Sequence, residues 1–173
     1  MILSRRDALR IGGVFLAGLP FGQVLAQDAA VVNIAMRGNT DGSLVWFDPI
    51  GVLVRPGQMV RWTNKDPGNS HTATAYHPGN DGHPLRLPAK AKPWDSGYLL
   101  PGESFSDVLS EPGIYDYFCV PHEHAGMVGR IIVAAEGASP PAPAFERIEG
   151  VDEAEFPSAD EIVRRGRVSA QSG

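Results

Sequence analysis

Cysteine is nearly absent from this chain, with Cys119 the single example among 173 residues. One thiol cannot close an internal disulfide, so Cys119 is free, paired with another chain, or bound to a metal. Long apolar runs are missing as well. The stretch from Ile11 to Leu25 is broken by Gly12, Gly13, Gly18, Pro20 and Gly22, and falls short of the about 20 apolar residues that a membrane span needs. No window carries a convincing helical period, which argues against a helical bundle. Basic charge is also scarce, with 15 Lys and Arg against 20 Asp and Glu. That balance speaks against nucleic acid and anionic lipid as partners.

The first 26 residues read as an export signal. Ser4-Arg5-Arg6-Asp7-Ala8-Leu9 supplies a twin-arginine start, the broken apolar stretch follows, and Val24 and Ala26 are small residues placed for cleavage after Ala26. An uncleaved N-terminal anchor is the competing reading. Twin-arginine export carries folded proteins, which suits a chain whose cofactor is inserted beforehand, and its destination is the periplasm. Removing residues 1–26 takes away three arginines and one aspartate, leaving 12 basic and 19 acidic residues and a net charge of −7.

What remains divides in two. Residues 27–135 hold short β-type runs separated by Gly, Pro, Asn and Asp: Val31 to Met36, Ser43 to Phe47, Gly51 to Val54, Gln58 to Asn64, His71 to Ala75, Ser104 to Leu109, Gly113 to Cys119 and Met127 to Ala134. Eight such runs predict an all-β sandwich. Val60 and Trp62 alternate with polar neighbours and are expected to face inward. Residues 76–98 form one long Pro- and Gly-rich connection, in which His77 and His83 are expected to face solvent. Residues 136–173 open with a Pro/Ala linker and continue as an acidic tail, expected to be a solvated or loosely docked extension. Within it, Ser158 followed three residues later by Glu161 predicts one short helix.

The chemistry concentrates in Tyr117-Phe118-Cys119-Val120-Pro121-His122-Glu123-His124-Ala125-Gly126-Met127. A thiolate, an imidazole and a thioether are the soft, mixed donors of a copper electron-transfer site. His122 and His124 both lie within reach of Cys119, and His71 can supply a second imidazole from a separate strand. Pro121 stiffens the turn, and Gly126 permits a sharp course before Met127.

Tyr117-Phe118-Cys119-x-Pro121-His122-x-x-Ala125-Gly126-Met127-x-Gly129 resembles the copper-binding turn of plastocyanins, pseudoazurins, amicyanins and halocyanins. Val54-x-Pro56-Gly57-x-x-Val60-x-Trp62-x-Asn64 is similar to the strand-turn-strand that precedes the first histidine in these cupredoxins. The resemblance covers roughly Val31 to Ala135. It implies a cupredoxin-like Greek-key β-sandwich of two sheets, with one type 1 copper per chain held by His71, Cys119, His122 and Met127. It favours His122 over His124.

It also implies a mobile one-electron carrier, not an enzyme, exchanging electrons through the exposed edge of His122 amid Pro121, Ala125 and Gly126. A monomer meeting a redox protein such as a cytochrome, a periplasmic reductase or a dehydrogenase is the expectation. The alternative is a module for copper storage, delivery or sensing, assisted by His77, His83 and His124. One departure stands out. The family pairs an Asn after the first histidine with a Ser or Thr after the cysteine, whereas this chain has Thr72 and Val120, so the clasp between the two ligand loops is expected not to form in the usual way.

Overall fold

The computed structural model describes residues 30–135, 137–138 and 145–170. The export signal and most of the linker therefore lie outside the described residues. Two sheets face each other. The first has the order β2-β1-β4-β6, from β1 (Val32–Gly38), β2 (Val45–Asp48), β4 (Gln58–Asn64) and β6 (Ser104–Leu109). The second has the order β5-β7-β8-β3-β9, from β3 (Gly51–Val54), β5 (Thr74–Ala75), β7 (Gly113–Phe118), β8 (Val128–Val133) and β9 (Arg167–Val168). The expected all-β sandwich is present, with seven of its eight runs found close to their expected limits, the run expected from His71 shortened to Thr74–Ala75, and a ninth strand added.

Alternation decides the first sheet. In β4, Val60 and Trp62 are fully buried while Arg61 between them is exposed, as a two-residue period requires. Trp62 anchors an aromatic cluster between the sheets, with ring centroids 5.5 Å from Trp94, 5.6 Å from Tyr117 and 5.9 Å from Phe105. Trp94 draws the long connection inward. Residues 76–98 run along the β5 and β7 edges by hydrogen bonds from the Ala75 amide to the Trp94 carbonyl, and from the Asp116 amide to the Arg86 carbonyl.

β7 and β8 are buried along their whole length, because the second sheet is covered on both faces. The inner face packs on the first sheet, and the outer face is covered by the C-terminal extension. This corrects the expectation of a solvated or loosely docked tail. Ile148, Phe156, Ile162 and Val168 are all buried, and β9 pairs antiparallel with β3, matching Val168 to Gly51 and Arg167 to Val52. The short helix is α1 (Ala159–Arg165), with the Ser158 hydroxyl accepting the Glu161 amide at its start.

A buried ionic cluster fixes the tail to the sheet. Asp116 of β7 accepts from Arg86 at 2.8 Å and from Arg130 of β8 at 2.7 Å. The second arginine charge is balanced by Glu153 of the tail, which pairs with Arg86. Phe156 lies against both guanidinium groups, 4.9 Å from Arg86 and 5.0 Å from Arg130. Two cations and two carboxylates hydrogen-bonded in this way avoid the cost of an unpaired buried charge.

Candidate metal centre

Cys119 follows β7 directly, and its position is set by the turn behind it. The Cys119 amide donates to the Met127 carbonyl at 3.0 Å, the His122 amide to the Cys119 carbonyl at 2.9 Å, and the Met127 amide to the His122 carbonyl at 3.1 Å. Residues Val120–Ala125 wind as a 3₁₀ turn with Pro121 near its start. Gly126 ends it in the left-handed conformation, at φ 80°, which glycine adopts without steric cost. The chain then enters β8 with Met127 buried beside Cys119 in the core.

His71 arrives from the other side. Its backbone is clamped by reciprocal hydrogen bonds with Leu99, at 3.1 and 2.8 Å. Only Thr74 and Ala75 of the run expected from His71 onward form strand, and His71 makes an isolated bridge before it. Cys119 Sγ lies 3.5 Å from His71 Nδ1 and 3.5 Å from His122 Nδ1. These three donor atoms all fall within 4.8 Å of one another, and the Thr72 amide points at the sulfur from 3.3 Å. One soft and two borderline nitrogen donors thus meet in a protein-walled pocket, and the set fits a type 1 copper ion.

The electrostatics suit a metal more than a free thiolate. Burial pushes the Cys119 thiol up to about 11, against hydrogen bonds from Thr72 and His122 that lower it. Burial, reinforced by the neighbouring His71, holds His122 below the usual imidazole range. A neutral imidazole keeps the lone pair that a metal needs.

The remaining sequence candidates separate. Pro121, His124 and Ala125 are exposed, His122 and Gly126 are partly so, and His124 is absent from the donor cluster. His83 departs from the expected solvent-facing position. Its side chain is 21% exposed, it packs edge-on against Tyr76 and Phe118, and its Nε2 lies 3.6 Å from Glu123.

Two further groups support the donors. The first is Asp66, 2% exposed, whose carboxylate contacts His71 Nε2 at 3.0 Å. Burial alone would raise its carboxyl, but hydrogen bonds from Asn69, the Gly68 amide and His71 outweigh that and hold it at about 2. Its sequence signal was an acid five residues before a ligand histidine. The second is the Thr72 hydroxyl, which accepts the Val120 amide at 2.8 Å and a hydrogen bond from Thr74 at 2.9 Å. The clasp, expected not to form in the usual way, forms through the Val120 backbone amide where the family pattern has a side-chain hydroxyl.

The sequence profile of the family described as "Copper binding proteins, plastocyanin/azurin family" matches residues 33–134. The chain belongs to the plastocyanin/azurin family. A chloroplastic plastocyanin of Tetradesmus obliquus is 38% identical over 130 residues, covering 75% of this chain and 83% of that protein. A plastocyanin of Scenedesmus fuscus is 36% identical over 101 residues, covering 58% of this chain and 99% of its own length. Among solved structures, a pseudoazurin from Sinorhizobium meliloti aligns with a TM-score of 0.47 at 26% identity, over 62% of this chain and 76% of that one. The cofactor of this family member is copper, one type 1 ion per chain. Among the described residues, no helix is long and apolar enough to cross a membrane.

Proposed function

We propose that this protein is a soluble one-electron carrier between redox partners in the periplasm, exported through a twin-arginine signal in residues 1–26. Cys119, His71 and His122 would hold the copper as its strong donors, with Met127 as a weak fourth. A bound copper ion would supply one-electron chemistry between its two oxidation states. The chain's part is to resist movement during that change: Cys119 and Met127 are tied by one backbone hydrogen bond and His71 by two. A preorganised set of this kind favours electron exchange over storage or delivery, which need the metal to come and go.

The observation that carries the reading is the juxtaposition of a fully buried donor, Cys119, with a partly exposed one, His122, 3.5 Å away. Electrons then have a short path to the surface along the His122 edge, amid Pro121, Ala125 and Gly126. The net charge of −7 left after removing residues 1–26 suits a partner with a basic or neutral face, such as a cytochrome, a reductase or a dehydrogenase, met through a small, transient interface by the monomer. An optical spectrum of the Cu(II) protein tests this directly. The intense visible thiolate-to-copper band is expected, and its absence sinks the proposal.

A further inference from the structure

Asp66 stands at the far side of His71 from Cys119, and three donor groups converge on its carboxylate. Oδ1 receives the Gly68 amide at 2.8 Å and the Asn69 amide at 3.3 Å. Oδ2 receives the Asn69 side-chain amide at 2.9 Å and faces His71 Nε2 at 3.0 Å. Three of these groups are fixed donors, and every acceptor site on a bare carboxylate is open to them. The pocket is tailored to this side chain: a Cβ on Gly38 would collide with the Asp66 carboxylate.

The carboxylate is also rigidly held. The Asp66 amide donates to Asn64 Oδ1 at 2.9 Å, and the Asn64 side chain reaches across to the Leu99 carbonyl at 2.9 Å. Leu99 is the residue that clamps the His71 backbone. One short path thus runs from the end of β4 through Asn64 and Asp66 to the imidazole, and both Asp66 and His71 are nearly inaccessible to water.

We propose that Asp66 is the positioning residue of the copper site: it holds the hydrogen of His71 on Nε2, presents Nδ1 toward Cys119, and places one fixed negative charge behind the ligand. The first effect follows from the hydrogen-bond geometry, since an Nε2–H donated to a carboxylate leaves the Nδ1 lone pair free. The second follows from burial. A charge shielded from water by protein acts at short range with little screening, and a negative one favours the more positive copper state. Asp66 therefore lowers the reduction potential. This rests on His71 ligating through Nδ1, as in the function proposed above.

The test uses Asp66→Asn, which keeps the shape and removes the charge, and Asp66→Ala, which removes both. In the copper-free protein with nitrogen-15 histidine, wild type should show a single His71 tautomer with its hydrogen on Nε2, and Asp66→Ala a mixture. In the copper-loaded protein, Asp66→Asn should retain the blue band while its oxidised-to-reduced ratio, at a fixed solution potential, falls at least tenfold, equivalent to about 59 mV for one electron. An unchanged tautomer in Asp66→Ala overturns the positioning role. A potential unmoved in Asp66→Asn overturns the charge role, and that measurement decides alone should Asp66→Ala not fold. Loss of the band in wild type defeats the proposed function, whereas an intact band with an unmoved potential defeats only this inference.

Discussion

The Val120 amide donates a hydrogen bond to the Thr72 hydroxyl oxygen at 2.8 Å, and this bond joins the two loops that carry the copper donors. Each partner sits next to a donor in sequence, Thr72 after His71 and Val120 after Cys119. Any opening between the loops therefore stretches this bond together with the contact of the Thr72 amide to Cys119 Sγ.

Thr72→Val keeps the shape and removes the acceptor, leaving a part-buried amide without a partner. It is expected to destabilise the copper-free protein by about 1–3 kcal/mol, read from denaturant midpoints. Thr72→Ser, which retains the oxygen, should recover most of the loss. Equal stability of the Val and Ser variants would show that the clasp contributes nothing.

Cys119→Ser should lose the blue band altogether, because the hard hydroxyl cannot replace a covalent thiolate. Met127→Leu should keep the band and raise the potential, on the order of tenfold in the oxidised-to-reduced ratio or about 59 mV, since the axial sulfur is removed and the equatorial donors remain. Redox titration of Met127→Leu checks the axial assignment. A lower potential would contradict it.

Phe156→Ala addresses the docking of the tail. The ring is 5% exposed and lies against Arg86 and Arg130, so truncation should cost about 3–5 kcal/mol, a large share of the about 5–15 kcal/mol that stabilises a typical domain. The blue band should survive, because the ring belongs to a different apolar cluster from Cys119 and Met127. Unchanged thermal stability would mean that the extension does not share the fold's cooperativity.

The pairing of Glu153 with Arg86 sets an acid-dependent term. The Arg86 guanidinium holds the Glu153 carboxyl below its ordinary 4.5, against the opposing effect of burial. A carboxyl depressed in the folded state stabilises above its unfolded value and loses that contribution as pH falls through the folded one. Glu153→Gln should therefore be less stable than wild type near neutrality and converge with it well below pH 4.5. The side chain is 45% exposed, so the difference should be no more than about 1 kcal/mol. Urea unfolding at a series of pH values measures it.

Ala125→Lys places a cation on the exposed turn beside His122. With a basic partner, stopped-flow electron exchange should slow by about tenfold at low salt, with the spectrum unchanged and the difference shrinking as salt rises. An unaffected rate would move the exchange surface away from this turn.

The strand pattern and three of the four candidate donors were legible in the amino-acid order because they are local. A two-residue alternation marks Val60 and Trp62 as inward wherever the strand lies, and Cys119, His122 and Met127 share one turn whose closure needs only Pro121 and Gly126. The separation of the two histidines is different. His122 and His124 are two residues apart, and the resemblance of the turn favoured the first. The 3₁₀ winding then set His124 at the surface.

The groups that support the donors depended on the tertiary fold. Asp66 reaches His71 because Asn64 and Leu99 meet across distant segments; Thr72 reaches Val120 across 48 residues; the tail finds β3 after more than a hundred. Such contacts join residues whose types are unremarkable in isolation, and an acid or a threonine has many possible partners until the chain is closed. The lone cysteine, the candidate donors around it and the all-β rhythm were legible in the sequence alone. Which hydrogen bonds hold those donors still, and which charge stands behind them, was decided only in three dimensions, because burial and distance convert ordinary side chains into ligand supports.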